Sequence, residues 1–189
     1  LFDYLRLRGW DVVYLGANVP LSRLDVTLKQ TSPHLVISVS QTLHSAAALH
    51  EMGRYVNSQG VPLAYGGGLF REIPALTNRI NGHYLGDDLS GVPQAIEHIL
   101  SRPIEPPTMQ PIPPAYAAAL AKFSEKETLI IASVNNLLRS THMETSHVDE
   151  ANTNFTRYIS SALALGDIHL LDHSVDWLGG LLENHGLSP

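Results

Sequence analysis

Apolar residues come in short blocks over the first hundred positions, and the blocks alternate between two spacings. Leu1, Tyr4, Leu5 and, less regularly, Leu7 fall along one side of a helix that Gly9 stops, with Arg6 and Arg8 solvated. Asp11 to Leu15 is a β-rich apolar run of strand length, broken by the loop Gly16-Ala17-Asn18-Val19-Pro20. Ser22 is placed to cap a helix over 23–31 whose buried face carries Leu24 and Leu28, and Pro33 ends it. Leu35 to Val39 is nearly continuous in apolar character, as a strand covered on both faces should be. A helix over 45–58 turns Ala47, Leu49, Met52 and Val56 inward and closes at Gly60. Val61 to Ala64 is the next strand, 73–80 a short helix, His83 to Leu85 a small strand, and 92–100 a helix.

Strand and helix thus alternate four times, which predicts an α/β fold: a parallel sheet with helices on both faces, joined by right-handed crossovers. Residues 102–114 carry six prolines and read as a semi-rigid linker. Beyond it the spacing is helical throughout. Residues 116–122, 127–138, 154–165 and 168–182 predict a small all-α module over 115–189, with Gly166 as a turn and Asp167 as an N-cap. The domains expected are 1–101, the linker 102–114, and 115–189.

Composition narrows the function classes. The 189 residues are 44% hydrophobic with a formal charge of -6, and no Lys/Arg cluster offers a phosphate-neutralising surface, so direct nucleic-acid binding is not expected. The chain has no cysteine, which removes disulfides, thiolate nucleophiles and Cys-ligated metals and agrees with a cytoplasmic location. No apolar run approaches the ~20 residues of a membrane helix. The sequence opens on Leu1 within a helical pattern and closes at Pro189, and both ends read as cuts through a longer protein.

Candidate chemistry gathers at three predicted strand ends. Leu63-Ala64-Tyr65-Gly66-Gly67-Gly68-Leu69-Phe70 runs a strand into three residues without Cβ, where a bulky group could lie on the main chain. Gly16 and the hydroxyl-rich Ser38-Val39-Ser40-Gln41-Thr42 end the neighbouring strands. Open α/β sheets hold ligands at such carboxyl ends. The crevice has small hydroxyls and backbone groups but no nucleophile–base pair, so it suits holding a flat heterocyclic ligand better than breaking a bond. Turn-making alone explains the same glycines and serines about as well. Other groups read as scaffold. His169 and His173 share a helix face with Asp172 and Asp176, compatible with zinc but lacking a third ligand. His142 to His147 lacks the zinc-protease order. Asp87 and Asp88 suit a turn and helix cap better than a carboxylate pair. Trp10 and Trp177 read as core.

These blocks, taken together, resemble a family. Leu5 to Pro20, the Ser38-Val39-Ser40 element, Gly67-Gly68 after a further stretch, and His83 to Leu89 resemble cobalamin-binding domains. Such domains occur in corrinoid methyltransferases, mutases and light-responsive cobalamin-dependent repressors, and the resemblance covers residues 1 to about 100. It implies a flavodoxin-like (Rossmann-like) sheet with the nucleotide tail of adenosyl- or methylcobalamin sunk between strand ends. Ser38 then hydrogen-bonds the dimethylbenzimidazole, and Leu15, Gly16, Val39, Ser40, Thr42, Gly66, Gly67, Gly68 and Phe70 surround the tail.

Two departures accompany the resemblance. Ser40 replaces an aliphatic residue. The family's Asp-x-His-x-x-Gly segment, whose His ligates cobalt, would precede Leu1, and with it the first strand. In the order 2-1-3-4-5 that strand lies between Asp11–Leu15 and Leu35–Val39. His44 could in principle face the crevice, but a surface histidine is the commoner case. The expected function is a cobalamin-binding module of a sensory or regulatory protein. An effector or DNA-binding domain would lie upstream, and residues 1–189 would bind the cofactor weakly or not at all. A corrinoid carrier subunit of a methyltransferase and a degenerate, non-binding interaction domain are the alternatives. The stretch is not expected to be an enzyme in its own right.

Overall fold

A computed structural model of the chain describes residues 1–17, 19–101, 109–138 and 145–172. The chain divides into two compact units. One joins Leu1–Gln41 to Leu49–Met109, and the other joins Thr42–Ala48 to the chain from Gln110 onward.

The first unit is an α/β assembly around a three-stranded parallel sheet in the order β1-β2-β3, with β1 at Val36–Val39, β2 at Leu63–Gly66 and β3 at His83–Tyr84. Val36 pairs with Leu63 and Val39 with Gly66; Ala64 pairs with His83 and Tyr65 with Tyr84. Parallel pairing requires crossovers, and helices supply them. The helices are α1 (Phe2–Arg6), α2 (Leu21–Thr31), α3 (Leu43–Ser58, whose residues up to Ala48 are counted with the other unit), α4 (Gly68–Glu72) and α5 (Val92–Leu100), with 3-10 turns at Pro74–Arg79 and Leu89–Gly91. Successive strand residues point to opposite faces, and the core divides accordingly. Ala64, Leu85, Val92, Ile96 and Leu5 form one cluster, with Trp10, Val12 and Ile37 against it. Leu24, Leu28 and Val56 form another, with Val19, Val36 and Val61 against it.

Several sequence-based expectations change. Asp11 to Leu15 is not a strand. Val13 is 58% and Tyr14 69% exposed, and no described strand lies on the free side of β1 to pair with this run. A strand exists only through its ladder partner, so apolar β-propensity alone did not make one. Leu7 is 87% exposed, because α1 ends at Arg6 before the helical stripe reaches it. The cap of α2 is Pro20, whose carbonyl accepts from the Arg23 and Leu24 amides, rather than Ser22. Helix α3 starts at Leu43, behind a reciprocal pair in which the Thr42 amide donates to Ser45 Oγ and the Ser45 amide to Thr42 Oγ1. The short helix expected over 73–80 is present as a 3-10 helix at Pro74–Arg79.

In the second unit α6 (Pro114–Leu138) and α7 (Thr145–Ala164) pack side by side, and a 3-10 turn follows at Ile168–Leu171. The two helices expected at 116–122 and 127–138 are one, since Phe123-Ser124-Glu125-Lys126 contains nothing that breaks a helix. Buried Asn152 fixes the helix register: its Nδ2 donates to the Ile131 carbonyl at 3.0 Å and to Asn135 Oδ1 at 2.8 Å. Gly166 turns the chain at φ 72° and Asp167 caps the following turn through the His169 amide, as the sequence suggested. Most of the proline-rich linker (102–108), His142 to Glu144, His173, Asp176 and Trp177 lie outside the described residues. Among the described residues no helix is long and apolar enough to cross a membrane.

Candidate functional site: a glycine-lined cleft at the strand ends

At the carboxyl ends of β1 and β2 the first unit opens a cleft of about 260 Å³. Val39, Gly66, Gly67 and Gly68 line one part of it. Leu85 to Leu89 with Val92 line another, and Leu1 and Arg71 complete it. The cleft owes its existence to Gly66. Ala64 faces the cluster that contains Leu85 and Val92, and Gly66, two residues on, faces the same way with nothing within 4 Å of where a Cβ would stand. A larger residue there would fill the space.

The other two glycines have an internal reason. At Gly67 (φ 129°) a Cβ would stand 1.9 Å from the Ser40 carbonyl oxygen, because the turn after β1 presses directly on it. The Ser40 amide also donates to the Gly66 carbonyl at 2.9 Å. The Gly68 amide donates to Gln41 Oε1 at 3.1 Å, the atom that a Gly68 Cβ would crowd. Two of the three glycines therefore zip the strand ends together, and one leaves room.

Beneath the turn lie three aromatic rings. Phe70 packs against Tyr65 with the rings tilted by 55° and centroids 4.7 Å apart, and Tyr84 sits 5.6 Å from Tyr65 and 5.8 Å from Phe70. The Tyr65 hydroxyl donates to the Thr77 carbonyl at 3.2 Å, and burial pushes its ionisation well above the ordinary phenol range. Tyr84 donates to Asp87 Oδ1 at 2.5 Å. Burial first, and then that bond, raise its pKa to about 12, while the Arg71 charge acts in the opposite sense. Asp88 caps the Leu89–Gly91 turn, accepting from the Ser90 hydroxyl and, at 3.1 Å, from the Ser90 amide. Those bonds hold its carboxyl below the usual range.

Of the residues singled out by sequence, Val39, Gly66, Gly67 and Gly68 come together at the cleft. The others stand elsewhere. Ser38 is adjacent to Val39 on a strand and so points to the opposite face, the side on which Val36 meets α2 and α3. Ser40 is buried under the turn, and Phe70, 1% exposed, packs in the aromatic cluster with Tyr65 and Tyr84, outside the cleft lining. Thr42 caps α3. Leu15 and Gly16 lie on the exposed run after α1, away from the cleft lining. His44 is exposed and does not line the cleft. Arg71, Asp87 and Asp88 had not been tied to the strand ends, since only the tertiary fold brings α4 and the loop after β3 to the same opening.

The cleft offers apolar side chains (Val39, Leu85, Leu89 and Val92), bare main chain at the glycines, the Arg71 guanidinium and two carboxylates. It holds no nucleophile–base pair, and no group of three or more potential metal ligands exists among the described residues. No family model matches the chain, and no curated protein matches it.

Proposed function

We propose that the first unit is a cobalamin-binding module of a sensory or regulatory protein, holding the cofactor's nucleotide tail in the cleft above Gly66. The observation that carries this reading is a cleft of about 260 Å³, at the carboxyl ends of adjacent parallel strands, with bare main chain for a floor. That size suits one heterocycle with its sugar, not a whole corrinoid. Val39, Leu85 and Val92 give the base an apolar wall, and Asp87 and Asp88 offer acceptors to the carboxamide N–H groups that fringe a corrin ring. In this reading Val39, not Ser38, meets the base. When bound, cobalamin supplies the chemistry of its cobalt–carbon bond; the residues of this chain seat and orient it.

The finer fold belongs to the same proposal. In a flavodoxin-like order 2-1-3-4-5 the three strands correspond to 3, 4 and 5, and Asp11–Leu15 to strand 2. Trp10 and Val12 pack with the cluster on one face of the sheet and Val19 with the cluster on the other, which keeps this run beside the sheet. The free side of β1 is then the berth of strand 1. That strand, the cobalt-ligating histidine, and an effector or DNA-binding domain would be supplied by polypeptide outside residues 1–189. A cytoplasmic location and a separate small all-α module from Pro114 onward complete the reading.

Calorimetric titration with cobalamin and with cobinamide, the same corrin without its nucleotide tail, tests it. Weak saturable binding of cobalamin and none of cobinamide is expected. Equal binding of both, or of neither, refutes a tail site and leaves an interaction domain as the better description.

A further inference from the structure

Three charged side chains line the cleft, and two of them are engaged. Asp87 accepts from the Tyr84 hydroxyl, and Asp88 from the Ser90 amide and hydroxyl. Arg71, in the last turn of α4, is exposed, lines the opening, and makes no hydrogen bond or ion pair with any described residue. Its charge is felt at Tyr84, the last residue of β3 before the Gly86–Asp88 loop. A guanidinium carries a planar fork of N–H donors, the geometry that matches two oxygens of a phosphate. It shares the cleft lining with the bare main chain of Gly66 and the apolar side chains of Val39 and Leu85, so the opening offers both an apolar surface and a cation to a ligand with an aromatic end and an anionic end.

We propose that Arg71 is the anion-binding residue of this cleft and that the group it takes is the phosphodiester linking base-bearing sugar to corrin. This inference rests on the cobalamin reading and deepens it. The phosphodiester is the one anionic group of a cobalamin, so Arg71 would distinguish a phosphorylated tail from the bare nucleoside. Asp87 and Asp88 work against any anion that lacks the base to anchor it.

The test uses ligands without cobalt, so that cobalt ligation does not enter. α-Ribazole 3′-phosphate, which carries its phosphate on the sugar oxygen that bears the cobalamin phosphodiester, α-ribazole and inorganic phosphate are titrated into the 189-residue chain and into Arg71→Gln and Arg71→Lys, following amide ¹H–¹⁵N shifts. The nucleotide is expected to bind on the order of tenfold more tightly than the nucleoside, the scale of one charge-assisted contact. Arg71→Gln should bring the nucleotide down to the nucleoside's affinity, and Arg71→Lys should restore part of the difference. Equal affinity of nucleotide and nucleoside in the unmodified chain overturns the role of Arg71 while leaving the tail site standing. A preference that survives Arg71→Gln does the same. Binding of neither ligand overturns the tail site and this inference together. Inorganic phosphate binding as tightly as the nucleotide would overturn the assignment to a nucleotide tail.

Discussion

Gly66, Gly67 and Gly68 look alike in the sequence and differ in what they do. Gly66→Val adds a β-branched side chain to the end of a strand, where its Cβ meets open space. Its stability should stay level or rise by up to about 1 kcal/mol, and its ligand binding should vanish because the cleft is filled. Gly67→Ala meets the Ser40 carbonyl and a φ of 129°, so backbone strain alone should cost about 1–3 kcal/mol, read as a lower Tm. Loss of binding in a Gly67 variant thus reports a disturbed turn as much as a blocked pocket, and Gly66 is the cleaner probe. The phenol of Tyr84 adds a pH signature. Its pKa is near 12 when folded and near 10 when unfolded, so its contribution to stability is complete below pH 10 and disappears as pH rises from about 10 to 12. Chemical denaturation across that window should show stability falling, and Tyr84→Phe should flatten the fall. A slope unchanged by Tyr84→Phe would assign the effect to other groups.

At the scale of elements, what a residue's own neighbours in sequence decide was legible, and what a distant partner decides was not. Helices α2 and α5 follow their apolar stripes, with Leu24, Leu28 and Ile96 buried, and β1 falls where the continuous apolar run put it. The run Asp11–Leu15 carried the same signal and stays unpaired, because a ladder needs a second strand beside it. The cleft was legible by half: Val39 and the glycines sit at strand ends, whereas Arg71 and Asp87 reach it through crossovers that no local pattern encodes. Helix α3 shows the same dependence. An alanine inside a helix ordinarily stabilises relative to glycine by about 1 kcal/mol. Yet a Cβ at Gly53 would stand 2.3 Å from the Asn81 carbonyl oxygen, the loop that Asn57 also holds through a 2.9 Å bond from its Nδ2. Gly53→Ala should therefore lower the melting temperature, and a rise would mean that α3 sits further from this loop. Hydrogen exchange gives the corresponding map of the sheet: amides of β2, paired on both sides, should be the slowest of the three strands, and those of Val13 to Leu15 should exchange nearly as in an unfolded chain.

For the whole molecule, the central claim is that the space left by the missing side chain of Gly66, at the ends of two paired parallel strands, admits a heterocycle. Amide shift perturbation on adding cobalamin, compared between the unmodified chain and Gly66→Val, tests that most directly. Shifts confined to Val39, Gly66–Gly68, Arg71 and Leu85–Val92, saturating weakly and absent from a folded Gly66→Val, are the predicted result. Shifts that persist in Gly66→Val, or that map away from this cleft, would contradict it.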